Sequence, residues 1–132
     1  MRLKSFNLSL GSQIFKACSD ESRLRILHLI FENDEMCISD LEKILEFTQT
    51  KTSRHLTYLK NSGILTFRRD NHWVFYAIKD EVYEILKQIF QFLRKDQLLQ
   101  KDQQLYQTLF SNRELAINKV QMGVWHKPGI MT

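Results

Sequence analysis

Between Thr48 and Lys60 the chain carries Gln49, Thr50, Lys51, Ser53, Arg54, Thr57, Tyr58 and Lys60, and no acid. These side chains share one kind of chemistry. Glutamine pairs with an adenine edge, and arginine grips guanine through two parallel hydrogen bonds. Hydroxyls, lysine and the backbone N–H groups of a helix start hold phosphate oxygens. A few residues on, Arg68, Arg69, Asn71 and His72 extend the set. Residues 48–73 hold five basic side chains against one acid, Asp70, whereas the rest of the chain holds fourteen of each. The whole net charge of +4 therefore lies in one stretch, where it creates a local field that attracts polyanions. A solvated basic face without a partner is the competing reading of the same charge.

The elements that must position these residues follow from hydrophobic spacing. Leu10, Ile14, Phe15 and Cys18 recur at helical intervals in the stretch from Leu8 to Cys18. Asp20 is placed to cap a second helix, Glu21 to about Phe31, with Leu24, Leu27, Ile30 and Phe31 on its apolar face. Ser39-Asp40-Leu41-Glu42 has the spacing of a capping box and predicts a short third helix starting at Ser39. Thr48 caps a fourth, Gln49 to about Ser62, and Gly63 stops it. On that helix Thr52, Leu56 and Leu59 share an inward face.

After Gly63 the period changes. Ile64 to Arg69 and Trp73 to Ile78 are strand-like, and the polar turn between them predicts a β-hairpin. Asp80 is placed to cap a long helix bearing Val82, Ile85, Leu86, Ile89, Phe90 and Leu93. A further helix is expected from Leu98 to Phe110, with Leu98, Leu105 and Leu109 as an apolar seam. Ser111 onward shows no period, and Pro128-Gly129 favours an irregular ending. The expected fold is mainly α with a small β-hairpin, a winged helix-turn-helix. Residues 1–95 are expected to form this winged-helix, DNA-binding domain, and residues 96–132 a helical extension and tail.

Other classes find little support. No glycine-rich phosphate loop, no HExxH and no grouping of His, Cys and acid mark a catalytic site, so no enzyme is expected. No apolar run approaches the ~20 residues that cross a bilayer. Met1 to Leu10 lacks the long apolar stretch of a secretion signal. Two cysteines, Cys18 and Cys37, are too few for a disulfide framework, and the expected compartment is the reducing cytoplasm.

The stretch from Phe15 to Ile78 resembles the arsenic-repressor (ArsR/SmtB) family of bacterial metalloregulators. The resemblance is carried by KACSDESRLRIL (Lys16 to Leu27), MCISDLEKIL (Met36 to Leu45), TQTKTSRHLTYLKNSGIL (Thr48 to Leu65) and NHWVFYAI (Asn71 to Ile78). It implies a homodimer that binds a palindromic operator in double-stranded DNA and represses transcription. By position, Gln49, Thr50, Lys51, Ser53, Arg54 and His55 match the recognition helix, and Arg68, Arg69, Asn71 and His72 match the wing. The first helix and the long helix after the wing are implied to form the dimer interface, with Phe90 and Phe92 as apolar surface left for a partner. Twofold half-sites would lie about one helical turn, ~34 Å, apart.

Sensing is less fully written. Where many relatives carry two cysteines one residue apart, this chain has Cys37-Ile38-Ser39, and serine is a poor ligand for soft metals. Asp80 to Leu93 holds no histidine, and His28, His55, His72 and His126 lack zinc-ligand spacing. The expectation is therefore a regulator without a metal or other cofactor. A thiol-responsive or metal-responsive variant using Cys18 and Cys37 is the alternative. A winged-helix module that binds protein rather than DNA is another.

Overall fold

The structure, a computed structural model, describes residues 6–121. Helix α1 (Leu8–Cys18) is started by Asn7, whose side chain accepts from the Leu10 N–H at 2.9 Å. Helix α2 (Glu21–Asn33) is started in the same way by Asp20, which accepts from Arg23 N–H at 3.0 Å. It ends where Asp34 turns to a positive φ of 71°. A three-residue strand follows, β1 (Glu35–Cys37), then helix α3 (Ile38–Leu45). Glu46, in the left-handed region at φ 58°, ends α3, and helix α4 (Gln49–Asn61) begins three residues after that turn starts.

Gly63 takes φ 81° just past α4. The N–H groups of Gly63 and Ile64 bond back to Lys60 and Leu59 carbonyls at 3.1 Å each. These paired bonds close the last turn and release the chain into a strand. Strands β2 (Leu65–Asp70) and β3 (Trp73–Ile78) pair antiparallel around Asn71-His72. Asn71 supplies the positive φ, 57°, that the tight turn needs. β1 adds to the other edge of β3, giving the order β1-β3-β2, with Cys37 opposite Phe75. Helix α5 (Asp80–Leu93) and helix α6 (Gln97–Gln121) complete the described residues.

Ile14, Ile26, Leu27, Ile30, Met36, Leu41, Leu56, Leu59, Leu65, Val82, Leu86 and Phe90 form one buried core shared by the first five helices and the sheet. Tyr106 and Leu109 of α6 pack against it.

The expected winged-helix order is present, with several corrections. The hairpin is part of a three-stranded sheet, because Glu35–Cys37 pairs with Ala77–Phe75. That pairing draws the chain straight into α3 at Ile38, so Cys37 occupies the cap position and no side chain caps it. Ser39 falls inside the first turn, and its Oγ meets Cys37 Sγ at 3.4 Å; the capping box is not formed. Asp80 is the first residue of α5 and not its cap, where its charge favours the helix N-terminus. Phe90 is not spare surface for a partner. It is fully buried, edge-on to His28 and tilted against Phe31. The helix of residues 98–110 extends to Gln121, and its inward face is not the expected leucine seam. Leu99, Asp102, Tyr106 and Leu109 face the domain, while Leu98 and Leu105 stay exposed. The irregular ending expected at Pro128-Gly129 lies outside the described residues.

His28 is nearly enclosed, and its Nδ1 has no hydrogen-bond partner among the described residues. Burial pushes its pKa down, opposed by the charge of Glu32, whose Oε2 lies 3.5 Å from Nε2. The core accepts the neutral ring, so unfolded His28 binds a proton more readily than folded His28. Its contribution to stability is whole above the ordinary value of 6.5 and is lost as pH falls below it. His55 shifts in the same direction. The urea midpoint is therefore expected to drop between about pH 7.5 and about pH 5, and to drop less in His28→Gln. An equal drop in the variant would assign the effect elsewhere.

Candidate nucleic-acid interface

Helix α4 is anchored by one face and presents the other. Thr52, Leu56 and Leu59 are fully buried, as their spacing requires. The Thr48 side chain accepts from Lys51 N–H at 3.1 Å, and the Thr52 hydroxyl donates to the Thr48 carbonyl at 2.9 Å. The start of the helix is thus held from both sides. Gln49, Thr50, Ser53, Arg54 and Thr57 line one shallow, open concavity along the outer face. Lys60 is exposed one turn further on. No acid stands on this face.

Three residues of the expected set are placed differently. His55 is 6% exposed and belongs to the inward face, so it is not available to a ligand. Burial lowers its pKa, against the attraction of Asp20. Lys51 is half-buried, with Nζ 4.0 Å above the Phe47 ring. Tyr58 is half-buried beneath the Arg23 guanidinium, 4.2 Å from its ring centre. Lys51 and Tyr58 therefore flank the exposed ridge.

The wing divides in the same way. Arg69, Asn71 and His72 are exposed at its tip. Arg68 is not aimed outward in the same sense. Its guanidinium donates to both carboxylate oxygens of Glu35, at 3.0 and 2.6 Å, and lies 4.4 Å above the Phe75 ring. Nothing in the sequence pattern signalled Glu35 as its partner, because β1 is too short to show a period. Phe67, partly exposed, has Lys60 at 5.2 Å and Arg69 at 5.7 Å, and so ties the end of α4 to the wing.

The two thiols are not joined to one another. Cys18 is half-buried and Cys37 buried, and both are free. Burial raises both pKa values. Arg23 opposes this at Cys18, and the Ser39 hydroxyl opposes it at Cys37. Among the described residues no three His, Cys, Asp or Glu side chains come together as a metal site. His126 lies outside those residues. No helix among them is long and apolar enough to cross a membrane.

A helix-turn-helix braced by a core, with a hairpin beside its second helix, defines a winged helix-turn-helix. Solved structures agree. HlyU from Vibrio cholerae matches with a TM-score of 0.59 and 28% identity, covering 70% of this chain and 97% of its own. The homodimeric winged helix-turn-helix DNA-binding domain of Mb0332 from Mycobacterium bovis matches with a TM-score of 0.58 and 25% identity, covering 69% and 83%. The sequence pattern of the bacterial regulatory proteins of the arsR family matches residues 20–66. The arsenic resistance transcriptional regulator ArsR2 of Pseudomonas putida is 40% identical over 78 residues, which is 56% of this chain and 68% of that protein. The chain belongs to the arsR family. It spans 54% to 66% of the length of other curated relatives that it matches.

Proposed function

We propose that this protein is a sequence-specific transcriptional regulator that binds operator DNA as a homodimer and represses transcription. The observation that carries the reading is the outer face of α4. Gln49, Thr50, Ser53, Arg54, Thr57 and Lys60 stand exposed, without an acid, on a helix whose other face is locked into the core. A helix of that width fits the major groove, and its amide and guanidinium groups suit base edges. The family supports the same function. Dimer formation is supported by the apolar side chains left uncovered on the first and fifth helices, Leu8 at 89%, Phe15 at 72% and Phe92 at 83% exposure. The homodimeric state of the Mb0332 domain points the same way.

The proposal includes no metal effector, since Ser39 stands beside Cys37 where a second soft ligand is needed. The DNA immediately upstream of the protein's own coding sequence is the natural probe. Fluorescence anisotropy should show a clear preference for that duplex over a shuffled one at moderate salt, unchanged by added zinc or cadmium. Equal affinity for both duplexes would remove the reading.

The two wing arginines should behave differently. Arg68 spends its fork on Glu35, whereas Arg69 stands at the exposed end. Arg69→Ala is expected to make log K fall less steeply with log salt, by about two, the signature of one lost phosphate contact in each protomer. Arg68→Ala should change it less. Equal slopes in the two variants would show that the Glu35 pair opens on binding.

A further inference from the structure

α6 runs back across the domain. Asp96 fixes its start by accepting from the Leu98 N–H at 2.9 Å. Its inner face then meets three polar partners in turn. Asp102, 1% exposed, takes both guanidinium arms of Arg25 on α2 at 3.0 Å each. Gln103 and Asn33, the last residue of α2, exchange amide hydrogen bonds at 2.8 Å. Arg113 donates to Asp40 on α3 at 2.6 Å. Asp40 is itself buried, and Arg113 is half-buried, with its side chain 18% exposed.

Ion pairs of this kind add little net stability over apolar packing, because both charges must leave water. They are demanding about geometry instead. A buried carboxylate is tolerated only where its partner stands, so Asp40 ties the position of α3 to that of α6. α3 passes through Glu46, Phe47 and Thr48 directly into α4. A tilt of α3 therefore re-aims the exposed ridge.

We infer that Asp40 and Arg113 are positioning residues for DNA recognition: α6, closed over α3, sets the angle at which α4 is presented. This rests on the proposed operator binding. Cys37 offers a built-in reporter. It is 1% exposed at the cap position of α3, three residues before Asp40.

The test compares the full-length protein with Arg113→Gln and with the double variant Asp40→Asn/Arg113→Gln. The double variant leaves no buried charge unpaired, and so keeps the test open if the single one fails to fold. Affinity is measured for the upstream duplex and its shuffled counterpart at one salt concentration. Cys37 labelling by a thiol reagent is read by peptide mass spectrometry, with Cys18 as internal reference. In the folded double variant the ratio of specific to shuffled affinity is expected to fall about tenfold. Cys37 should label several-fold faster, and Cys18 at its former rate. A wild-type preference that survives intact in the double variant overturns the inference, as does a fallen ratio without faster Cys37 labelling. A wild type with no preference at all removes the DNA-binding reading itself, a result distinct from either.

Discussion

Arg54→Ala should abolish most operator preference while leaving the fold unchanged. Arg54 is exposed in the centre of the α4 concavity, between Thr50 and Thr57. A bidentate contact to guanine contributes about 1–3 kcal/mol of discrimination. A symmetric dimer presents the residue twice, so about 2–6 kcal/mol is at stake, or some 30-fold and upward in affinity for the specific duplex. Binding to shuffled DNA should weaken far less, because it loses only phosphate attraction. Thermal melting should be unchanged, since an exposed side chain outside the core shifts stability by about 0.5 kcal/mol or less. A variant that keeps the wild-type preference would place base reading elsewhere on the protein.

The largest loss of stability is expected from Phe90→Ala. This ring is fully buried, 5.4 Å from the centres of both His28 and Phe31, where α5 meets α2. Truncating a core phenylalanine typically costs about 3–5 kcal/mol through lost burial and the cavity left behind. Against the ~5–15 kcal/mol that holds a domain of this kind together, that is a large share. Phe92→Ala, two residues away and largely exposed, is the informative comparison. It should leave the urea midpoint of the protomer nearly unchanged and weaken self-association, read by sedimentation velocity. If Phe90→Ala were the milder of the two, the assignment of core and partner faces on α5 would be reversed.

Much of this arrangement is legible in the sequence. The second and fourth helices were readable because Asp20, Thr48 and Gly63 mark their ends chemically and the apolar residues between them keep one period. The hairpin was readable because two β-rich runs flank a polar turn. β1 was not, since three residues cannot display a period, and its existence depends on the edge that β3 offers. The same pairing moved the start of α3 one residue before the serine that looked like its cap. His55 lies inward and not in the DNA-facing set expected of it, and its spacing carries the reason. Three residues from Thr52 and four from Leu59, it falls on the buried side of the wheel. The docking of α6 was hidden for a different reason. Two of the side chains that fasten it, Asp102 and Arg113, are charged, and only their distant partners make them inward residues. Arg68 is the same case in miniature, because Glu35 lies 33 positions away.

The clasp between Asp40 and Arg113 also bears on how the protein is made. The two lie 73 residues apart in the chain. At ribosomal rates of about 5–20 residues per second, Asp40 is synthesised roughly 4–15 s before its counter-ion. During that interval α3 cannot settle against α6, and its carboxylate lacks its counter-ion. Helices α3 and α4 are therefore expected to reach their final seat late in synthesis, a delay that ribosome-stalled chains of increasing length would reveal.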